Sequence, residues 1–317
     1  MTRQSLTQAG NSSVDTGKRI DFLILVAVLL LLSLSTCAEP NDPQEDDNGP
    51  TIPSIDDSSN ISIITWNIEH FPQAGSVTIA RVQLLLDSLD ADIYCLQEID
   101  NPVSLTSIID KLEKYEVVHS PGDSYVRSTV YKPDVVHLVS SSEFLNTYGY
   151  EFAWRPPFIS EFEFEKDGRK QSLNVINVHL KAFGDRESME RRHDATRLMH
   201  NYLSSSVAAG DSNFVIAGDW NDDMHDPDSS GAYSFEAFLN DPQNFYFVTD
   251  SLAATRSTRN ASYPGYPSMI DNILISRSLF DEFDPLGVRV LRLDEKFSDY
   301  STVLSDHRPV LWSFKPN

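Results

Sequence analysis

Short runs of apolar, β-branched and aromatic residues recur from residue 61 to residue 315, separated by polar stretches, and this pattern predicts a series of strands. The predicted strands are 61–64, 93–96, 128–131, 158–164, 173–178, 214–217, 270–275, 288–293 and 310–314. Asp167-Gly168, between the fourth and fifth runs, is a hairpin turn signal. The sequence shows neither an internal repeat nor a linker-like break in this region, which favours a single domain.

Two stretches have the spacing of an amphipathic helix. In 77–89 the apolar positions that share one face are Ile79, Val82, Leu85, Leu86 and Leu89. In 186–203 the suitably spaced positions are Met189, Leu198, Met199 and Tyr202. Many strands and few helices indicate packed sheets flanked by helices.

The first 37 residues have the features of a targeting segment. Lys18 and Arg19 precede an apolar run at 22–34, which has the length of a signal-peptide core and is short for a membrane-spanning helix. The run ends in Leu34-Ser35-Thr36-Cys37, which is similar to a bacterial lipobox that leaves Cys37 N-terminal for lipid attachment. A cleaved secretory signal and an uncleaved anchor are the alternatives. All three predict export, and the lipobox favours a lipid anchor on the bacterial membrane or cell surface.

Residues 38–60 have the composition of a disordered tether. They contain seven acidic side chains, four prolines and no Lys or Arg. Such a stretch buries too little apolar surface to offset its ordering entropy. We therefore expect a leader at 1–37, a linker at 38–60 and one domain at 61–317.

The charge balance limits how the domain could bind a polyanion. The formal charge is −22 for the chain, and residues 61–317 contain 22 basic and 38 acidic side chains, a net of −16. This argues against a protein whose affinity comes from a basic stripe on nucleic acid. It does not exclude a phosphoesterase, because a bound divalent cation inverts the local field. Of the two cysteines, Cys37 belongs to the lipobox and Cys95 is expected to be a buried free thiol.

Metal-capable and titratable side chains follow several of the predicted strands, where α/β folds place their ligands. These side chains are Asn67, Glu98, His179, Asp219, Asn221, Asp271, Asp306 and His307. They would converge if the strands shared one sheet edge or two adjacent sheets. Carboxylate and amide oxygens suit Mg²⁺, Mn²⁺ or Ca²⁺ rather than zinc, and no cysteine cluster competes.

Each of these residues taken alone is weak evidence of function. A single Asp-His pair is more often a solvated turn or a satisfied core histidine than a catalytic pair. Gly218-Asp219-Trp220-Asn221 is more specific, because an Asp and an Asn separated by one residue can address one reacting atom together. The ordered set is far more specific than any of its members.

The ordered set resembles the endonuclease/exonuclease/phosphatase family, which includes deoxyribonuclease I-like nucleases, sphingomyelinases and inositol-polyphosphate phosphatases. The matching motifs are Thr65-Trp66-Asn67-Ile68-Glu69, Leu96-Gln97-Glu98-Ile99, Asn177-Val178-His179-Leu180-Lys181, Gly218-Asp219-Trp220-Asn221, Ile270-Asp271-Asn272-Ile273-Leu274 and Ser305-Asp306-His307-Arg308-Pro309. The resemblance implies a four-layer α/β sandwich, in which two mixed β-sheets pack face to face with helices on the outside.

The resemblance also implies roles. Glu98 would be the principal ligand of Mg²⁺ (or Mn²⁺/Ca²⁺), with Asn67 and Asp306 beside the same ion. Asp219 would orient and deprotonate the attacking water, with Asn221 positioning the water or the phosphate. His307, oriented by Asp271, would contact the phosphoryl oxygen or act as acid/base, and His179 would hydrogen-bond the phosphate from the opposite side.

Substrate-binding residues are less clear from the sequence. Arg127 could meet a phosphate or could be a strand-edge charge, and Tyr131 is another candidate. Arg192, with Arg197, could face the substrate or lie on a solvated helix face. The stretch Tyr263-Pro264-Gly265-Tyr266-Pro267 could stack a base or sugar, or could be a packed loop.

Three function classes stay open. The first is an exported nuclease or phosphodiesterase on DNA or RNA, because exported nucleases are common in this family. The second is a phosphodiesterase on lipid headgroups, as in sphingomyelinases, or a small-molecule phosphatase, which the net charge slightly favours. The third is a non-catalytic surface-binding module, which is disfavoured because every named motif retains its chemical group. The expected partners are a phosphoester substrate and the membrane at Cys37, and no obligate protein partner is implied.

Overall fold

The computed structural model describes residues 55, 60–166, 168–210, 213–227, 231, 233–266 and 268–316. The predicted leader lies outside these residues, as does the predicted linker apart from positions 55 and 60. Ile55 is buried, and its backbone N–H donates to the Leu89 carbonyl at 3.1 Å. None of the helices in this described part of the chain combines the length and the apolar character needed to cross a bilayer.

Two mixed sheets of six strands each make up the centre of the domain. The first sheet contains β1 (Ile61–Phe71), β2 (Ile93–Ile99), β3 (Glu116–His119), β4 (Val126–Tyr131), β11 (Val288–Val290) and β12 (Val310–Phe314), in the order β11-β12-β1-β2-β4-β3. The second contains β5 (His137–Glu143), β6 (Phe158–Lys166), β7 (Arg169–His179), β8 (Phe214–Asp219), β9 (Phe245–Phe247) and β10 (Asp271–Ser276), in the order β5-β6-β7-β8-β10-β9.

Helices cover the outer faces of both sheets. They are α1 (Ser76–Leu89), α2 (Pro102–Leu112), α3 (Arg186–Ala209), α4 (Glu236–Leu239), α5 (Asp250–Ala254) and α6 (Tyr300–Val303). Alternation along β1 sends Ile61 and Ile63 into the core shared with the second sheet, and Ile64 and Trp66 into a separate core beneath α1 and α2. This arrangement is the predicted four-layer α/β sandwich, and the fold class is confirmed.

The predicted elements correspond to observed ones, with differences in extent. Each predicted strand is present, but the one expected at 288–293 ends at Val290 because a 3₁₀ turn, Leu293–Glu295, follows. The pattern missed the helices α2, α4, α5 and α6 and the strands β3, β5 and β9. Strand β5 is an edge strand of mostly exposed residues, so it has little apolar signal to detect. Helix α2 did carry a signal, because Asn101 caps it by accepting from the Ser104 N–H and Pro102 opens it.

Strand direction brings the polar strand ends together. Each sheet contains one parallel pair, β1–β2 in the first and β7–β8 in the second. The carboxyl ends of a parallel pair lie at the same sheet edge, so Asn67 joins Glu98 and His179 joins Asp219. Strand β10 runs antiparallel to β8, and its first residue, Asp271, pairs with Asp219. Strand β12 runs antiparallel to β1 in the same way, which places His307 at this edge.

The core between the sheets contains the remaining cysteine of the domain. Cys95 is fully buried and free, as expected, and burial raises the pKa of its thiol far above the usual range. The thiol is therefore held neutral and inert as a small apolar side chain.

Candidate active site

The carboxylate of Asp219 lies at the centre of the cleft between the two sheet edges. Its Oδ2 accepts from Asn67 Nδ2 at 2.9 Å and lies 3.6 Å from His179 Nε2 and 3.9 Å from His307 Nε2. Its Oδ1 accepts from the backbone N–H of Asn221 at 2.9 Å. Burial, together with the Asp271 carboxylate, raises the pKa of Asp219 to about 7, against the opposing effect of His307. A carboxyl group with this pKa can take and return a proton near neutral pH.

His307 and Asp271 form a buried pair beside Asp219. His307 Nδ1 lies 2.8 Å from Asp271 Oδ2, and Asp271 is fully buried at the start of β10. Burial lowers the pKa of His307, but the carboxylates of Asp271 and Asp219 outweigh it and raise it to about 10. His307 is therefore an imidazolium whose Nε2 faces the cleft. Ser305 fixes the turn before it, because its hydroxyl accepts from the His307 N–H and donates to the Asn67 carbonyl.

His179 is a second imidazole in the cleft, and it differs from His307 in being neutral. It is buried at the end of β7, and its Nε2 lies 3.6 Å from Glu98 Oε1. Burial and the cations Arg155 and Arg127 hold the pKa of His179 well below its usual range. The ring is therefore neutral, and its Nε2 sits between the Glu98 and Asp219 carboxylates. Its Nδ1 is buried without a hydrogen-bond partner.

Three carboxylates gather at the open side of the cleft around the predicted metal ligands. Glu98 accepts from Asn67 Nδ2 at 3.2 Å, and the backbone N–H of Asp306 donates to Glu69 Oε2 at 3.1 Å. Burial, then the neighbouring charges of Asp306 and Glu98, raise the pKa of Glu69. Carboxylates that repel one another in this way suit a hard divalent cation, which would neutralise them. The residues present thus fit the metal that the motifs imply.

Asp219, Asp271 and His307 also form a tight group, since one ligand atom from each lies within 4.8 Å of the others. We do not assign the metal there. His307 is paired with Asp271 through Nδ1, its single positive charge offsets one of the two carboxylates, and a protonated imidazole has no lone pair for a cation. The Glu98 side of the cleft contains three carboxylates, those of Glu98, Glu69 and Asp306, and has the larger uncompensated charge.

The three residues predicted to bind substrate are buried, and each already has a protein partner. The Arg127 guanidinium is buried and donates to Glu143. Tyr131 lies at the far end of β4 and donates to Glu116 Oε2 at 2.5 Å. A side chain that is buried and already bonded has no surface to offer a substrate.

Arg192 is instead a brace between two loops of the site. It is buried on the inner face of α3, and its Nε and Nη2 both donate to Asp222 Oδ2, at 3.0 and 2.9 Å. Its Nη1 donates to the carbonyls of Lys181 and Phe183 at 2.8 and 2.7 Å. It thereby ties the loop after His179 to the loop after Asp219. Arg197, five residues along, is exposed and pairs with Asp194 on the helix surface.

Two residues that border the cleft were not predicted as site residues. Glu69 directly follows the Asn67 motif and joins the carboxylate cluster. Arg155 donates from Nε to the His179 carbonyl at 3.1 Å and from Nη2 to the Leu180 carbonyl at 2.8 Å, within electrostatic range of Asp219 and Glu98. Its position in a loop before β6 carries no pattern that would single it out. Glu69 could have been found, because it is the acidic residue of its own motif.

Strained backbone is concentrated at the cleft. Twelve non-glycine residues of the described chain have positive φ, and those that line or border the cleft are Glu69, His70, Glu98, Tyr125, Ala153, Trp154, Phe183 and Asn221. Such conformations cost about 1–3 kcal/mol each and persist where surrounding contacts over-determine them. In β1, a bulge between Asn67 and Phe71 accompanies the strain and turns Glu69 and His70 toward the site.

The comparisons with known proteins identify the family and the fold. The model of the Endonuclease/Exonuclease/phosphatase family matches residues 64–307, which contain every predicted site residue. No curated protein matches the sequence.

Several solved structures share the fold at low sequence identity. D. rerio TDP2 complexed with a single-strand DNA product has a TM-score of 0.56 at 16% identity, covering 81% of this chain and 100% of that one. The human Nocturnin catalytic domain with bound sulfate has a TM-score of 0.56 at 19% identity, covering 81% and 93%. An endonuclease/exonuclease/phosphatase from Bacteroides vulgatus has a TM-score of 0.57 at 16% identity, covering 81% and 99%. At such identities these likenesses concern the fold alone.

Proposed function

The chain belongs to the Endonuclease/Exonuclease/phosphatase family, and we propose that it is a divalent-metal-dependent phosphodiesterase that hydrolyses nucleic acid outside the cytoplasm. Members of this family are phosphoesterases. The substrate, the metal and the place of action are our inferences.

The surroundings of Asp219 Oδ2 support this proposal more than any other observation. One buried carboxylate oxygen faces an amide donor, a neutral imidazole and an imidazolium, from Asn67, His179 and His307, within 3.9 Å. Hydrolysis of a phosphodiester requires a base for the attacking water and donors for the charge that develops on phosphorus oxygens. Both kinds of group are present around one point: a carboxyl group whose pKa of about 7 lets it act as a base near neutral pH, and donors from Asn67 and His307.

The residues divide the reaction between them. Asp219 accepts the proton of the attacking water, and Asn221 is held next to it by its N–H bond to Asp219 Oδ1. The His307 imidazolium, kept charged by Asp271, donates to a phosphoryl oxygen, and neutral His179 approaches from the Glu98 side. Glu98, Asn67 and Asp306, with Glu69 beside them, would hold the metal, which supplies charge neutralisation at the phosphate and leaving group.

Nucleic acid is the proposed substrate because a cleft built for phosphodiesters matches the chemistry of its backbone. D. rerio TDP2, which shares the fold, has been solved with a single-strand DNA product. Extracellular action, on a lipid anchor at Cys37, rests on the leader sequence. A lipid anchor at Cys37 predicts that the native protein is found in the membrane fraction and that Cys37→Ala releases it to the soluble fraction.

The proposal is tested with a soluble form that begins at residue 38. It should hydrolyse plasmid DNA or RNA, and bis-p-nitrophenyl phosphate, in Mg²⁺ and stop in EDTA. Asp219→Asn is the inactive control. Release of phosphocholine from sphingomyelin with nucleic acids left intact would instead assign the protein to lipid headgroups, and activity that survives EDTA would contradict the metal assignment.

A further inference from the structure

Three exposed aromatic side chains border the His179 side of the cleft, all on left-handed backbone. Tyr125, Trp154 and Phe183 have φ of 50°, 62° and 81°, and the Trp154 and Phe183 residues are 79% and 74% exposed. A left-handed φ is rare for bulky residues, and an aromatic ring exposed to water contributes no burial energy to the stability of the fold. We call these three residues the aromatic platform.

The loop that carries Trp154 is rigid. Backbone hydrogen bonds cross it from Phe152 N to the Tyr148 carbonyl, from Trp154 N to the Gly149 carbonyl and from Arg155 N to the Phe152 carbonyl. Phe152 anchors it in the core. The indole rests against Gly149, where a Cβ would come within 2.6 Å of Cε3. One face of the ring is therefore supported by backbone while most of the side chain stays open to solvent.

The backbone and the ring of Phe183 are also fixed by contacts. The Arg192 brace fixes its carbonyl, and the Lys181 ammonium lies 4.4 Å from the centre of its ring. The left-handed backbone conformation of Phe183 is thus stabilised by the buried Arg192. The position is not occupied by glycine, which would adopt this conformation without strain, although Gly184 is the next residue.

Arg155 connects the platform to the reacting groups. Its guanidinium bonds the carbonyls of His179 and Leu180 and lies 5.7 Å from the centre of the Tyr125 ring. Trp154 is its chain neighbour, and Phe183 follows Leu180 by three residues. The Tyr125 and His179 rings lie 6.5 Å apart. Tyr125 therefore lies beside the His179 imidazole, and Trp154 and Phe183 lie in the two loops that Arg155 joins.

Rings and cations alternate on this surface. Arg155 lies over Tyr125, Lys181 over Phe183, and Arg191 over Tyr150 at 4.3 Å. Surfaces that bind single-stranded nucleic acid combine such cations, which follow the phosphates, with rings on which bases stack. We propose that the aromatic platform stacks unpaired nucleobases and so selects single-stranded nucleic acid for the cleft. This inference rests on the proposed phosphodiesterase function and adds the form of its substrate.

A lipid surface fits these observations less well. Membrane-inserting surfaces combine aromatic with aliphatic side chains. The loops that carry Tyr125, Trp154 and Phe183 contain none of the exposed large aliphatic residues of the described chain, which are Val77, Leu84, Val103, Val139 and Leu286. Paired bases would also present only edges and phosphates to the rings, whereas unpaired bases present both faces.

Tryptophan fluorescence can test the platform directly. Of the four tryptophans in the sequence, Trp66, Trp220 and Trp312 are fully buried, so acrylamide quenching reports chiefly on Trp154. In Asp219→Asn protein with Mg²⁺, a single-stranded oligothymidylate should quench this emission and protect it from acrylamide. A blunt duplex of equal length and phosphatidylcholine–sphingomyelin vesicles should protect it much less.

Affinity for a dye-labelled oligonucleotide separates stacking from folding. Trp154→Ala and Phe183→Ala should each raise Kd roughly 5- to 100-fold, the range found for loss of one base–aromatic stack. Trp154→Phe should restore most of the affinity because it keeps a ring. Gly149→Ala should weaken binding although Trp154 is intact, because the added Cβ displaces the indole. Leu286→Ala is the matched control, 86% exposed near the opposite strand ends, and should change neither Kd nor activity.

The platform and the proposed function can fail separately. Cleavage of bis-p-nitrophenyl phosphate without protection of Trp154 by the oligonucleotide would overturn the platform and leave the phosphodiesterase standing. Equal protection by the duplex, or protection by vesicles alone, would also overturn it. Protection of Trp154 by the oligonucleotide in a protein that cleaves no phosphodiester would support the platform and contradict the enzyme.

Discussion

Asp219 and His307 occupy one buried site in opposite protonation roles, and Asp271 acts on both. Its carboxylate raises the pKa of Asp219 by repulsion and the pKa of His307 by attraction. Because Asp219 and His307 share Asp271 as a neighbour and act on each other, their protonation equilibria and their effects on the reaction should be coupled.

The kinetic consequence is a large and non-additive loss of kcat. Asp219→Asn and His307→Ala should each lower kcat by about two decades or more, because general acid–base groups contribute 10²–10⁴-fold, while KM changes little. Asp271→Asn combined with His307→Ala should cost little more than His307→Ala alone. Steady-state kinetics on bis-p-nitrophenyl phosphate, with circular dichroism as the folding control, checks this. A His307→Ala protein with more than about a tenth of wild-type kcat would show that the histidine is structural.

The pH profile provides a separate check. Asp219 must lose its proton to act as a base, so kcat/KM should rise through its pKa near 7 rather than in the ordinary carboxyl range. His307 must keep its proton, so activity should fall only above about 10. Asp271→Asn removes a charge that raises both pKa values, and both limbs should therefore move to lower pH. If both limbs of the pH profile stay at their wild-type pH in Asp271→Asn, groups other than Asp219 and His307 control the activity.

At the scale of elements, the two parallel strand pairs bring residues together and α3 holds the loops that follow them. Arg192 reaches from the helix to the loops after β7 and β8. The bulge in β1 does the equivalent work in the first sheet, because it turns Glu69 toward Asp306. The site thus depends on a few supports that touch no substrate.

Removing the brace should therefore cost stability and activity together. Arg192→Met leaves Asp222 and two carbonyls without their partner, and the free energy of unfolding should fall by about 3 kcal/mol, as for other broken buried ion pairs. Arg197→Ala, on the exposed face of the same helix, should change it by less than about 0.5 kcal/mol. Urea unfolding measures both values. Equal losses in the two variants would show that the helix, not the brace, is being tested.

The whole molecule is an acidic domain whose cleft adds carboxylates to an already negative surface. The net charge of −16 over residues 61–317 opposes the approach of a polyanion unless a cation is bound in the cleft. Within the cleft, the same excess of negative charge is seen as repulsion from Asp306 and Glu98, which raises the pKa of Glu69. Metal binding should therefore be visible as stability as well as activity.

Mg²⁺ should raise the melting temperature of the wild-type protein with the logarithm of its concentration above Kd, because a ligand that binds only the folded state stabilises it by mass action. Glu98→Gln and Glu69→Gln should weaken this shift and raise the Mg²⁺ concentration required for activity. Glu165→Gln, an exposed carboxylate in the β6–β7 hairpin, should leave both unchanged. An identical Mg²⁺ shift in all three variants would indicate general screening of the acidic surface rather than a site.

Much of the architecture could be read from periodicity, because a strand or helix that packs on a core must repeat its apolar residues at a fixed interval. The predicted strands at 61–64 and 214–217 and the helix at 77–89 were recovered for this reason. The edge strand β5 was missed because solvent-facing residues are under no such constraint. The order of the short motifs around Asn67, Glu98, Asp219 and His307 likewise identified the family without any geometry, since each motif contains its chemical group within a few residues.

Tertiary structure alone decided which of the remaining charged and aromatic residues belong to the site. Arg127 and Arg192 were candidate phosphate ligands and are buried with carboxylate partners, whereas Arg155 carried no signal and bonds the His179 carbonyl. Burial and partner choice depend on contacts between segments far apart in the chain, such as Arg192 with Asp222 or Asn67 with Asp219. The protonation states of Asp219 and His307 depend on the same contacts, because desolvation and neighbouring charge exist only once the two sheets have packed.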